Sequence, residues 1–250
     1  MTGAAAARRR AQRARRVRVR RDLSRPLAGL VALVAVTMLG AALTGTFPIR
    51  DVALSGVARL SAAEIRAAAA LDGASVFRAN ARDAEARVAA LASVRHARVT
   101  IQLPDRAFVD VEERRPSIVV SSPAGRVFAD DSGALFAGGA DGADGLATLE
   151  DETARRSSGD RLDPAFVAAT LAIASREPAY FGLAIDRIRL TAAYGLVAAL
   201  RGGPELRLGT ADQVDLKLEA ARQIVLARAG KRLDYVDVRN RENPVFFPLN

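Results

Sequence analysis

The run Leu27–Phe47, LAGLVALVAVTMLGAALTGTF, holds 21 residues, and no charged side chain occurs between Pro26 and Ile49. As a helix it would extend roughly 31 Å at 1.5 Å per residue, close to the ~30 Å hydrocarbon core of a bilayer. A helix on the surface of a soluble domain keeps one polar face. This segment is apolar all round, interrupted only by threonine, with Pro26 and Pro48 at the ends where proline costs a helix least. These features predict a transmembrane helix over 26–47.

Charge then orients it. Residues 1–25 contain ten arginines against one acid, Asp22, which accounts for the whole formal net charge of +9. The remainder of the chain is neutral, so the high isoelectric point describes a tail and not a nucleic-acid-binding body. By the positive-inside rule the tail stays in the cytoplasm and the C-terminal part lies outside. Three other readings share this layout. A signal peptide has a shorter apolar core followed by small residues, which Ala41–Gly45 resemble, and an organelle transit peptide is also Arg-rich and acid-poor. The tail could also bind nucleic acid or anionic lipid, but it has no aromatic residue on which a base could stack.

Composition removes several chemistries. The chain has no Cys, so it has no disulfide framework, thiolate nucleophile or thiolate metal site. A single His, His96, excludes a multi-histidine centre. It falls in an expected strand beside Arg95 and Arg98 and reads as a solvated surface residue. Glu112 and Glu113 are strand neighbours and point to opposite faces, so they do not form an acid/base pair. Asp130, Asp131, Asp141 and Asp144 among glycines hint at calcium, but the EF-hand alternation and its terminal Glu are absent. Walker, dinucleotide and nucleophile-elbow motifs are also absent. No catalytic residue, metal or cofactor is expected.

After the span, Arg50–Ser55 alternates as a short strand ending at Gly56. Ser61-Ala62-Ala63-Glu64 is a capping box that opens a helix to about Leu71, and a second helix covers Asn80–Ala92. Strands follow at Val94–Leu103 and Phe108–Glu112, giving β-α-α-β-β over 48–116. From 117 to 250 strands are expected at Ile118–Val120, Arg126–Ala129 and Ala134–Phe136, then a Gly/Asp/Ser-rich loop over 138–158. Asp163-Pro164 starts a helix with Val167, Leu171 and Ala174 inward. A meander at Ile185–Leu190, Leu196–Leu200 and Glu205–Leu208 leads to a capping box at Thr210–Gln213 and a long helix to Ala229. A final strand, Leu233–Asn240, points Tyr235, Asp237 and Arg239 outward. The expected fold class is α+β, with a mixed, strand-rich second domain.

This arrangement resembles the bacterial divisome proteins FtsQ/DivIB. Ile49-Arg50-Asp51-Val52 through Gly56 looks like the strand opening that family's POTRA module. Ser93–Val99 through Leu103-Pro104-Asp105, then Val109–Pro116, is similar to its paired strands closing on an E-R-x-P step. Gly230-Lys231-Arg232, Tyr235–Arg239 and Glu242-Asn243-Pro244 look like its last strand and exit. The resemblance implies a non-enzymatic scaffold in the bacterial plasma membrane at the division septum. It would link FtsB/DivIC- and FtsL-like single-pass coiled-coil proteins and help control septal peptidoglycan synthesis, with no small-molecule substrate. The 138–158 loop has no family counterpart, and Asn240 stands where some relatives carry an aromatic residue.

A physical route needs no family. If the last strand is an edge, its unpaired amides and carbonyls accept a partner's strand. Tyr235, Asp237, Arg239 and Asn240 are then the candidate partner-binding residues, with Arg239 able to hold a carboxylate in a two-pronged grip. Asn243-Pro244-Val245-Phe246-Phe247-Pro248 is an apolar exit that either folds back on the sheet or anchors a partner. The alternative reading is a membrane-anchored transport module whose β-α-α-β-β unit binds clients on a strand edge.

Overall fold

A computed structural model describes residues 24–44, 47–138 and 143–248. The basic tail expected over 1–25 lies outside them up to residue 23, as does Asp141. The apolar run forms helix α1 (Ser24–Thr44). Side chains are described for 27–40, and every one of them is exposed. The Thr37 hydroxyl donates back to the Leu33 carbonyl, so the one polar side chain in this stretch is satisfied within the helix. Among the described residues no helix is long and apolar enough to cross a membrane.

The next unit contains β1 (Asp51–Ser55), α2 (Ala62–Ala69), α3 (Ala81–Ala89), β2 (Val94–Gln102) and β3 (Arg106–Glu113). Its sheet has the order β1-β3-β2, with β1 parallel and β2 antiparallel to β3. Along β3 the alternation is strict: Ala107, Val109 and Val111 are buried, while Arg106, Phe108, Asp110 and Glu112 are exposed. The buried set meets Ile65 and Ala69 of α2 and Ala84 and Val88 of α3 in one core. Asn80 caps α3 by accepting from the Arg82 amide. Ser61 caps α2 through the Ala63 amide, and that helix stops at Ala69, with Ala70 left-handed, short of the expected Leu71.

A nine-stranded sheet follows, in the order β12-β11-β10-β9-β8-β7-β4-β5-β6. Its strands are β4 (Ile118–Ser122), β5 (Gly125–Ala129), β6 (Leu135–Phe136), β7 (Ala147–Asp151), β8 (Ile185–Thr191), β9 (Gly195–Leu200), β10 (Glu205–Gly209), β11 (Leu233–Asp237) and β12 (Val245–Pro248). Helices α4 (Pro164–Ala174) and α6 (Val214–Ala227) form the two long crossovers, and a short helix α5 (Pro178–Phe181) follows α4. α4 and α6 bring Val167, Ile173, Leu218 and Ala221 against Val120, Leu149, Ile188, Leu206 and Val236. The sheet therefore has one helix-covered face, and an opposite face that buries Val119, Phe128 and Phe136 with Ala92 at its β4–β6 end and is open toward β10–β12.

Four expectations change. The 138–158 segment is not all loop, because Ala147–Asp151 is an interior strand parallel to both β4 and β8. Leu149 supplies its apolar anchor, and buried Asp151 is neutralised by the Arg156 guanidinium at 2.7 Å. In α4 the buried stripe is Val167, Thr170 and Ile173, and Leu171 faces outward at 40% exposure. Thr210–Gln213 is not a capping box: Gln213 is left-handed with no side-chain cap. The Thr210 carbonyl and hydroxyl instead accept from the buried Lys217 ammonium at 2.9 and 3.2 Å. Finally, the Leu233–Asn240 segment is not the edge, because Val245–Pro248 folds back and pairs antiparallel with β11.

Candidate functional site

The open face of the sheet ends at β10, β11 and β12, and side-chain alternation decides what stands there. Leu206 pairs with Val236, and Val236 with Phe246, all turned toward the core. The next positions along the chain therefore face outward. Glu205 lies opposite Tyr235, Arg207 opposite Asp237, and Tyr235 opposite Phe247. Tyr194, in the turn before β9, joins them from the other side.

These residues form a continuous ladder. The Arg207 guanidinium lies 3.9 Å from the Tyr194 ring centroid and 3.7 Å from that of Tyr235. Tyr235 and Phe247 stack with centroids 6.0 Å apart and planes 7° from parallel. Cation–π contacts of this kind contribute about 0.5–2 kcal/mol each. Arg207 makes no ion pair among the described residues, and its Nε is buried without a hydrogen-bond partner. The ladder thus holds a cation in place by its ring faces, with no carboxylate paired to it among the described residues.

Arg239 behaves differently. Its Nε is 3.0 Å from both oxygens of Asp237, and its Nη2 donates to Oδ2 at 2.7 Å. Its stem crosses Gly209 (φ +76), where an added Cβ would lie 2.9 Å from the Arg239 Cγ. Only glycine both adopts that left-handed backbone and leaves room for the crossing. Burial alone would raise the Asp237 pKa; the hydrogen bonds and charge of Arg239, with Arg207 nearby, outweigh it and hold the carboxyl below its ordinary 3.8. The two-pronged grip expected to be offered to a partner is therefore already closed on a neighbour two residues away. Asn240 lies beyond the strand, where its side-chain oxygen accepts from the Glu242 amide in a turn. Tyr235 and Asp237 are brought together on one face, while Arg239 folds over the end of β10 and Asn240 stands apart.

Sequence reading missed Arg207 and Tyr194, and placed Phe247 only within an apolar exit. The signal for Arg207 lies in the alternation of Glu205–Leu208, and Tyr194 sits in the turn before β9. Joining them required knowing that β10 and β12 flank β11, which no local pattern states.

The sheet edge beyond this ladder is β12, with Val245 and Phe247 exposed at 52% and 53%. Pro248 has no N–H and blunts one end of that edge. An edge strand joined by stacked rings to a fixed cation two strands away is suited to receiving an extended segment that carries an acid.

A second charged cluster lies between the two sheets. Glu113 Oε1 accepts from the amides of Ala58, Arg59 and Leu60 at 2.8–2.9 Å. Arg114 donates to the Ala92 carbonyl at 3.0 Å and to Asp130 at 2.6 Å, where the carboxylate is 1% exposed. The other Asp130 oxygen accepts from the Ser132 hydroxyl and the amides of Ser132 and Ala134. Burial would raise the pKa of both carboxyls, but these donors outweigh it and leave each below its ordinary value. Asp130 is thus committed to the junction, and among the described residues no group of three or more His, Cys, Asp or Glu is placed to hold a metal. His96 is exposed on β2, across from Glu112.

Residues 47–114 match the family model described as POTRA domain, FtsQ-type. No curated protein matches the chain. The match covers the three-stranded unit and its closing Glu113-Arg114 step, and it supports a division-related role in protein interaction for a domain without catalysis. Residues 47–114 form a POTRA domain of the FtsQ type, and this domain supports the chain's resemblance to the FtsQ/DivIB family.

Proposed function

We propose that this chain is a scaffold of the bacterial cell-division complex that captures a coiled-coil division protein of the FtsB/DivIC or FtsL kind on the β12 edge. The observation that carries the reading is the free β12 edge two strands from Arg207, a cation sandwiched by Tyr194 and Tyr235 and without an ion pair among the described residues. The partner adds backbone hydrogen bonds along β12, its apolar side chains meet Phe247 and Val245, and a carboxylate reaches Arg207. Tyr235 and Asp237 support the face, and Arg239 keeps Asp237 ionised and in place.

α1 anchors the scaffold in the plasma membrane, with residues 1–25 in the cytoplasm and 48–116 and 117–250 outside as two domains. Support comes from an uncharged run of bilayer length and from a helix whose described side chains are exposed on every side. A reporter fused after Arg50 tests the orientation: activity only in the cytoplasm would overturn it. Titrating the full chain in detergent with the whole soluble region of candidate partners, including the non-helical segment beyond the coiled coil, tests the capture. Phe247→Asp is expected to weaken binding at least tenfold, and unchanged affinity would reject the β12 site.

One observation favours a second reading. β2 is nine residues long and leaves one side unpaired in its sheet, the form of edge on which a transport module binds clients. Depletion separates the two: filamentous cells without septa support the scaffold, and failed export with normal division supports transport.

A further inference from the structure

The start of the first folded unit carries an apolar cluster that its own core does not use. Phe47 and Phe77 are each 41% exposed and meet edge to face with centroids 5.6 Å apart. Leu103, at the β2–β3 turn, is 68% exposed. Phe77 and Leu103 line a shallow groove of about 570 Å³ with Val76, Ala81, Val99 and Ile101, and no charged residue lines it.

Backbone hydrogen bonds hold these segments side by side. The Val76 amide donates to the Phe47 carbonyl at 2.9 Å, the Ile49 amide to Ala74 at 2.8 Å, and the Arg50 amide to Asp105 at 2.9 Å. The loop around Phe77 and the turn around Leu103 are therefore strapped to the chain just after α1. That helix ends at Thr44, three residues before Phe47, a reach of at most about 11 Å.

We propose that this face is a lipid-binding surface, with Phe47, Phe77 and Leu103 inserted at the headgroup–acyl boundary of the bilayer that holds α1. The inference rests on the anchor reading of α1. A bilayer that ends where α1 ends is within a few residues' reach of the cluster, so its effective concentration there exceeds that of any soluble partner. Apolar residues of this kind insert about 5–10 Å into the boundary. The flanking charges balance: Arg50, Arg78 and Arg106 stand beside Asp51, Asp72 and Asp105, with Arg106 3.7 Å from Asp51. Attraction is therefore apolar, and anionic lipid adds little. The POTRA domain consequently rests against the membrane in one orientation and does not swivel on a tether.

The chain has no Trp, so single-tryptophan variants report depth without background. Full-length Val36→Trp, Phe77→Trp, Leu103→Trp and Leu216→Trp are reconstituted in phosphatidylcholine vesicles with bromine at defined acyl positions. Val36→Trp should be quenched most by deep bromines and Phe77→Trp and Leu103→Trp at least twofold by shallow ones, with Leu216→Trp on α6 unaffected. Replacing a third of the lipid by phosphatidylglycerol should change these values little. Quenched Val36→Trp with unquenched Phe77→Trp and Leu103→Trp overturns the lipid face and leaves the anchor standing. Unquenched Val36→Trp overturns the anchor and the lipid face with it. Shallow quenching that disappears as protein is raised relative to lipid overturns the lipid face in favour of a second copy of the chain. Leu103 is a mostly exposed turn residue, so its variant keeps the test valid if Phe77→Trp fails to fold.

Discussion

Arg114 and Arg207 are each gripped from two sides, and the chemistry of the grip separates two regions of the molecule. At the junction between the sheets, Arg114 meets a carboxylate that is 1% exposed and a carbonyl, and Asp130 in turn has donors on both oxygens. At the sheet's end, Arg207 is held by the faces of two rings and its Nε has no partner. The first arrangement is closed: removing any member leaves a buried charge uncompensated, so it serves shape. The second is open in charge, since ring faces orient the cation and no carboxylate among the described residues pairs with it, and that suits recognition. The same residue type reads as structure or as site according to whether its charge is paired.

Removing a partner from the closed cluster should produce the largest effect. Breaking a buried ion pair costs about 3–5 kcal/mol because the remaining charge is stranded. Asp130→Ala is expected to lower stability by about 3 kcal/mol in urea unfolding followed by circular dichroism, while partner affinity of the folded fraction stays unchanged. The double variant Arg114→Met, Asp130→Leu should recover most of that loss. A loss of under about 1 kcal/mol in the single variant would show that water reaches the pair and would dissolve the contrast.

Acid should act on the same cluster next. Glu113 and Asp130 have folded pKa values below their ordinary 4.5 and 3.8. Asp151 shares this: burial raises its pKa, but Thr153 and Arg156 outweigh burial and keep it below 3.8. Carboxyls lowered in the folded state give stability that is complete above their unfolded pKa and lost as pH falls through the folded one. Urea midpoints should therefore be flat from pH 7 to about 5 and fall below pH 4. A midpoint that falls between pH 7 and 5 would contradict the assignment.

At the open site the expected effect is on binding. Arg207→Met keeps the apolar stem and removes the charge, and it should weaken partner capture about tenfold, or about 1.4 kcal/mol. Arg207→Lys should restore little, because an ammonium lacks the planar face that stacks between rings. Full recovery by lysine in a binding titration would mean that only the charge matters and not its clamp.

The sequence shows some of these features better than others, for physical reasons. The strict alternation of Arg106–Glu113 and the caps Asn80 and Asp163 are local, so strand and helices of the first unit and the start of α4 are legible. β7 is hidden because ATLED carries a single large apolar residue, and its buried Asp151 needs Arg156 from outside the strand. The α4 stripe is misread because the helix is apolar all round, so periodicity cannot say which side is wet. For the candidate site, Tyr235 and Asp237 follow from the alternation of β11. Arg207, Tyr194 and Phe247 depend on strand order, a long-range fact set by the α6 crossover and the fold-back of Val245–Pro248. Arg239 shows the limit of an outward-facing charge as a signal, since the sequence gives no sign that Asp237 occupies its fork.

That occupancy makes the smallest prediction the sharpest division between the two arginines at the site. Arg239→Gln removes the fork from Asp237 but leaves Arg207 between its rings. The Asp237 carboxyl then loses the contacts that offset its burial, and its pKa should rise toward and past its ordinary 3.8, a shift measurable by carboxyl NMR titration. Because Arg239 spends its hydrogen bonds inside the protein, partner affinity at pH 7 should fall less than threefold, well short of the Arg207→Met loss. If Arg239→Gln instead equals Arg207→Met, the fork opens on binding and Arg239 meets the partner directly. Asp237→Asn then distinguishes the routes: with the fork released, affinity rises if Arg239 is a contact and stays level if its work is to hold Asp237.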